Sequence, residues 1–138
     1  LYAEIAALAN DGTNREISIN NGTTTDRVQI LLAPANNELL IFYKAQNGAT
    51  QFTISEILTD ATQLNKIAFK WKANDFALWV NGMETDTISS GVTSNANALT
   101  KIDFDQFNGG TKFHGKNKAL AVYKEALTDA ELQSLTTI

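Results

Sequence analysis

The side chains that could do chemistry in this 138-residue sequence are few, and what is missing narrows the choice. There is one histidine, His114, and no cysteine. A Ser-His-Asp system would need His114 as its base, and a lone histidine cannot build a histidine-based metal site. His114 therefore reads as structural or simply exposed. The absence of cysteine removes thiol nucleophiles, thiolate metal sites and disulfides together. Glycoside hydrolysis by carboxylates needs two of them facing one cleft, about 5–5.5 Å apart for retention or about 6.5–9.5 Å for inversion. Glu4, Glu16, Glu38, Glu56, Glu84, Glu125 and Glu131 are scattered through the chain. The only Asp-x-Asp spacing on a candidate strand is Asp103-x-Asp105, which reads as the polar face of a strand carrying Ile102 and Phe104.

The elements that must position any site are short and β-like. Residues 66–82, KIAFKWKANDFALWVNG, hold the clearest signal. Ile67, Phe69 and Trp71 alternate with polar or small residues, and so do Phe76, Leu78 and Val80; a period of two marks strands with one buried face. A two-residue loop at Asn74-Asp75 would pair Trp71 with Leu78 and Phe69 with Val80, keeping the large apolar residues on one face. A one-residue slip would split them between faces. This register sets Trp79 opposite Lys70 on the other face, beside Lys72 and Ala77, and Asn81-Gly82 marks the next tight turn.

Strand patterns also cover residues 1–7, 16–20, 27–32, 38–45, 51–54 and 83–88, divided by Asn/Gly-rich turns. Asn47-Gly48 is a hairpin signal, and residues 89–98 form a long polar loop. Residues 119–123 are almost continuously apolar, as in a strand covered on both faces. The one convincing helix follows Thr128-x-x-Glu131, a capping box, with Leu127 and Leu132 at the staple positions and Leu135 spaced to dock. About ten short strands and one terminal helix predict an all-β, two-sheet antiparallel jelly roll.

The hairpin, together with Phe113-His114-Gly115, the strand 118–123 and Ala126-Leu127-Thr128-Asp129-Ala130-Glu131-Leu132, resembles laminin-G-like, concanavalin-A-like jelly rolls. The combination is most similar to modules of bacteriophage tail-fibre and virion surface proteins. The resemblance implies a non-catalytic module on the virion surface that binds a host cell-surface glycan. Other virion subunits, including further copies of the chain in a homo-oligomeric fibre, are its expected protein partners. A purely structural fibre-tip or decoration module is the rival. Glucanases of this fold carry an E-x-D-x-E strand, which this chain lacks. Laminin-G-like domains often hold calcium at a loop rim, and by residue type Asp11, Asn14, Asp103 and Asp105 are the candidates. For a sugar, the expected platform is Trp79 with Lys70, Lys72 and Asn81, since sugars stack on aromatic rings and bond to nearby polar groups. If Trp79 is covered instead, binding moves to the loops near Asp11, 89–98 and Asn108.

Eleven Lys+Arg against fifteen Asp+Glu give a net charge of −4, and no basic cluster offsets it, so nucleic acid is not an expected partner. No apolar run is long enough to insert in a membrane. The length suits one domain over residues 1–138, and the start at Leu1, inside an apparent strand, suggests the C-terminal module of a longer protein.

Overall fold

The computed structural model describes residues 1–46 and 48–138. Ten strands form two five-stranded sheets. The first sheet contains β1 (Tyr2–Ala7), β6 (Asn65–Lys72), β7 (Asp75–Val80), β8 (Met83–Ile88) and β10 (Gly115–Ala121), in the order β10-β1-β6-β7-β8. The second contains β2 (Arg15–Asn20), β3 (Arg27–Ala33), β4 (Glu38–Ala45), β5 (Ala49–Ile57) and β9 (Lys101–Asp103), in the order β5-β4-β3-β2-β9. Every pairing is antiparallel. The core lies between the sheets. Ala3, Ile5, Ile67, Phe69, Phe76 and Leu78 face Ile17, Val28, Ile30, Ile41, Tyr43 and Phe52 across it. Tyr43, Phe52, Phe69 and Phe76 meet there with ring centroids 4.8–6.4 Å apart, spacings at which aromatic pairs add to simple burial.

The hairpin faces are as expected, but the register is not. Lys72 pairs with Asp75, Trp71 with Phe76, Phe69 with Leu78 and Ala68 with Trp79. The loop is Ala73-Asn74, one position earlier than the expected Asn74-Asp75. Asn74 takes the left-handed conformation (φ 58°) at the second loop position, which asparagine tolerates. Asp75 starts the return strand, where its carboxylate lies 2.8 Å from Lys70 Nζ. The pairing has moved by two residues, an even step, so no side chain changes face. Trp79 now stands opposite Ala68 and not Lys70. At Asn81-Gly82 both residues have positive φ, 50° and 86°, the mark of the tight turn expected there.

Two further expectations change. The 119–123 segment is only in part the expected strand: Leu120 packs on the inter-sheet core and Ala119 and Ala121 on the helix-side cluster, but β10 ends at Ala121 and Val122 and Tyr123 lie exposed beyond it. Strand β5 runs to Ile57, well past the expected end at Ile54, because it pairs along the whole of β4. The Asn47-Gly48 hairpin signal falls partly outside the described residues; on either side of it Ala45 pairs with Ala49.

The terminal helix α1 (Asp129–Thr136) starts with the expected box. Thr128 accepts from the Glu131 amide, and Glu131 accepts from the Thr128 amide at 2.8 Å. The helix lies on the outer face of the first sheet, where Leu132, Leu127 and Leu135 pack on Tyr2, Ala68, Ala77 and Trp79. One outer face of the sandwich is thus roofed by the helix. The outer face of the second sheet is bare of helix, but the segment around Asp105 and Phe107 lies over its β2–β3 part, where Glu16, Ser18, Asn20, Arg27 and Gln29 are buried.

Candidate functional site

The roof decides the fate of the expected sugar platform. Trp79 is only 7% exposed, enclosed by Leu132 and its neighbours. Its indole Nε1 is buried without a hydrogen-bond partner among the described residues. Trp71, on the core face, is the more accessible tryptophan: it stacks on Phe69 (5.7 Å, 21°) at the sandwich rim and is only partly buried. This reverses the expected order. Trp71 is the last inward-facing residue of β6, at the end of the strand, whereas Trp79 stands opposite small Ala68, which leaves room for the helix.

The residues expected around Trp79 are engaged elsewhere. Lys70 bridges Asp75 (2.8 Å) and Asp129 (3.0 Å), tying the helix N-terminus to the sheet. Burial pulls its pKa down, but the bonds to the two aspartates outweigh burial and the net shift is upward. Asn81 bonds the Lys66 amide and the Asn65 side chain, both at 2.9 Å, and so holds its turn. Lys72 is exposed. The open platform expected from these four residues is not formed.

The calcium candidates are not gathered either. Asp11 pairs with Arg15, which is 2% exposed and also donates to the main-chain carbonyls of His114 (2.7 Å) and Thr13. These bonds to Arg15, then the Thr13 amide, hold the Asp11 carboxyl well below the usual carboxylate range. Asp103 accepts from Asn20 Nδ2 at 2.9 Å, and Asp105 accepts from the Gly109 amide at 3.3 Å and, through its main-chain carbonyl, from Ser18 Oγ at 2.9 Å. Asn14 lies in the turn before β2. Among the described residues no group of three or more acidic or histidine side chains is placed to hold a metal ion.

A different constellation stands on the bare face of the second sheet. The alternation that sends Ile17, Ile19, Val28 and Ile30 inward sends Glu16, Ser18 and Asn20 of β2 and Arg27, Gln29 and Leu31 of β3 outward. Pairing sets Gln29 opposite Ser18 and Phe42, and Leu31 opposite Leu40. These residues surround a pocket of about 210 Å³ bounded by Glu16, Arg27, Gln29, Phe42, Thr53 and Gln106. A chain of polar contacts crosses it. Arg27 Nε donates to Gln29 Oε1 at 2.6 Å, and Gln29 Nε2 donates to Glu16 Oε1. The Arg27 guanidinium lies 4.6 Å from the Phe107 ring centre and 5.4 Å from that of Phe42, within the range of cation–π attraction. Phe107 takes φ 49°, a costly conformation for a large non-glycine residue, which persists only where surrounding contacts impose it.

Glu16 is the unusual member. It is 1% exposed, and its second carboxylate oxygen, Oε2, has no partner among the described residues. Burial pushes its pKa up to about 7; the Gln29 bond and the Arg27 charge act the other way, and Asp105 adds to the rise. Arg27 is 9% exposed, and burial lowers its pKa while Glu16 raises it. The pocket therefore offers a half-satisfied carboxyl, an amide, a guanidinium and an apolar floor. These are the convergent polar groups on an apolar ground that orient small ligands. Glu16 is the only carboxylate among the side chains lining it. The alternations Glu16-x-Ser18-x-Asn20 and Arg27-x-Gln29 signal a polar outer face, and only the β2–β3 pairing joins them into a site.

A two-sheet jelly roll with one face under a helix and a polar pocket on the other is a sandwich of the lectin type. The chain belongs to the concanavalin A-like lectin/glucanases superfamily, matching its laminin-G-type family over residues 3–133. No match to a curated protein is found by sequence. Among solved structures it is similar to the CBM40 of the Ruminococcus gnavus IT-sialidase, with a TM-score of 0.74, 15% identity, and coverage of 99% of this chain and 81% of that one. The same CBM40 bound to α2,6-sialyllactose superposes with a TM-score of 0.70, 15% identity and coverage of 98% and 80%. The leech intramolecular trans-sialidase is also similar, with a TM-score of 0.76 and 18% identity, covering 99% of this chain and 23% of that one. At these identities the likeness is one of fold.

Proposed function

We propose that the chain is a non-catalytic carbohydrate-binding module and that the glycan lies on the bare face of the second sheet. The observation that carries this reading is the Glu16–Gln29–Arg27 chain, whose carboxyl, buried and with Oε2 unpartnered among the described residues, lies at the base of a pocket floored by Phe42. A buried polar atom without a partner is costly in a folded protein unless a ligand completes it. A lone carboxylate at the pocket supports binding over hydrolysis, which needs a pair. The setting we propose is host adhesion by the C-terminal module of a phage virion surface protein. Its support is the likeness of the hairpin and of the closing strand and helix to tail-fibre modules.

A glycan array tests the binding. The panel includes bacterial surface polysaccharides and both sialyllactoses, because similar structures hold those ligands. Arg27→Met and Glu16→Gln should each weaken the best ligand at least tenfold while leaving the thermal transition cooperative. Clean failure of the wild-type module across the array would favour a structural role in assembly. The virion setting is checked separately by sequencing the whole gene and its neighbours: tail-fibre genes support it, and a secreted glycosidase on the same chain overturns it.

A further inference from the structure

We propose a second glycan-binding site at the rim of the sandwich, in the cleft beside Trp71, for a neutral oligosaccharide. The inference rests on the reading of the chain as a carbohydrate-binding module, but on different residues. The cleft has a volume of about 830 Å³ and is bounded by Trp71 and Lys72, by the loop 93–99 and by residues 124–126. Volumes of roughly 300–1,000 Å³ are typical of small-ligand sites. The bare-face pocket, at about 210 Å³, is much smaller and shares none of these residues.

Three features make this cleft a binding site and not a gap between loops. First, it contains the accessible tryptophan of the chain. One side of its indole is stacked on Phe69 at 21°, so the ring is held in one orientation without a ligand. A fixed, partly exposed indole at a cleft wall presents the flat apolar surface on which the C–H face of a sugar ring packs. Second, the facing loop is tied down at both of its ends, and between them Ala98 N closes a turn on the Asn95 carbonyl at 3.1 Å. Ser94 N donates to Tyr43 Oη (2.9 Å), Val92 N to Gln51 Oε1 (3.0 Å), Gly91 N to Asn74 Oδ1 (3.1 Å) and Thr100 N to the Asn20 carbonyl (2.9 Å). Gln46 Nε2 reaches the Thr93 carbonyl at 3.3 Å. A wall fixed in advance lowers the ordering cost of binding. Third, the polar groups along that wall suit hydroxyls. The side chains of Asn95 and Asn97 make no hydrogen bond among the described residues, and Asn97 is held at φ 62°, at a tight bend. Each amide can donate and accept, as a vicinal diol requires. Lys72 and Lys124 are partly offset by Glu125, and all three are exposed, so no buried charge selects an anion. Neutral sugars are therefore the class that fits.

The test uses fluorescence in a Trp79→Phe background, where Trp71 is the only tryptophan. The probes are chito-, cello-, malto- and galacto-oligosaccharides of three to six rings. At least one should shift Trp71 emission saturably and reduce its quenching by acrylamide. Its affinity should fall at least tenfold in Trp71→Leu and in the Asn95→Ala/Asn97→Gly double variant. The double variant changes only exposed loop side chains and keeps a residue that accepts positive φ, so it guards against a folding artefact. Arg27→Met should leave this binding within twofold. If none of these sugars protects Trp71, the rim site is refuted, while binding on the bare face stands or falls by its own array. If Arg27→Met abolishes the Trp71 response as well, there is one site and the inference is overturned.

Discussion

The roofing of Trp79 predicts which tryptophan matters for stability. Trp79→Ala deletes an indole buried between sheet and helix. A tryptophan buries about 150–250 Å², which at about 25 cal/mol/Å² is about 4–6 kcal/mol. The orphaned Nε1 offsets part of this, since an unsatisfied buried donor costs about 1–3 kcal/mol. The expected loss is about 3 kcal/mol, at the low end of the range of about 3–5 for large aromatic deletions in cores. With a urea m-value of about 1–3 kcal/mol/M, the midpoint should drop by about 1–3 M. Trp71→Ala should cost less, about 1–2 kcal/mol, because the loss is mainly the stack on Phe69 and part of the ring's burial. Trp79→Phe keeps most of the packing and removes the orphaned N–H, so it should lie within about 1 kcal/mol of the wild type. Equilibrium urea denaturation measures all three, and acrylamide quenching of Trp71→Phe and Trp79→Phe reports each indole alone. A Trp79→Ala protein more stable than Trp71→Ala, or a Trp79 quenched as readily as Trp71, would refute the account.

Two further outcomes follow from the same structure. Leu132→Ala should cost about 2–5 kcal/mol, as a buried leucine does, and Thr128→Ala about 0.5–2 kcal/mol, as a lost cap does; urea midpoints showing the reverse order would mean the helix is not docked through Leu132. Glu16 has a folded pKa raised from 4.5 to about 7. Between these values the folded state binds more protons than the unfolded state, so this group's contribution to stability falls as pH rises through that window and then levels off. Thermal melts across pH 4–8 should show that decline, and Glu16→Gln should flatten it; an unchanged pH profile in the variant would remove Glu16 as its source.

Much of the fold is legible in the sequence because strands with one buried face announce themselves by alternation, and the helix by Thr128 and Glu131. The hairpin shows where legibility ends. Hydrophobic alternation excludes odd slips but cannot choose between registers two residues apart, since both keep Phe69, Leu78 and Val80 inside. That choice falls to Asn74 and its left-handed backbone. The burial of Trp79 depends on a helix about fifty residues further along; the Leu132/Leu135 spacing says that this helix docks, but not on which sheet. Glu16 and Arg27 look like separate solvent-facing residues until the β2–β3 ladder and the segment around Phe107 bring them together. Continuous apolar character at 119–123 suggests a strand covered on both faces, and Ala119, Leu120 and Ala121 are packed on both sides, but nothing in it shows that the strand stops at Ala121.

Both ends of the chain belong to the roofed sheet: β1 opens within it, and α1 closes over it, with the Thr137 carbonyl held by Lys66 Nζ at 2.7 Å. A support that met the module on its helix-covered face would leave the outer face of the second sheet turned away from it. Copies mounted in that way would turn their pockets outward together. Single glycan contacts that are weak alone would then be held at high local concentration by their neighbours, and linked sites of this kind can exceed either alone by about 10²–10⁴. The placement of one short helix thus governs presentation: strength of attachment would come from the number of modules displayed rather than from the depth of any one pocket.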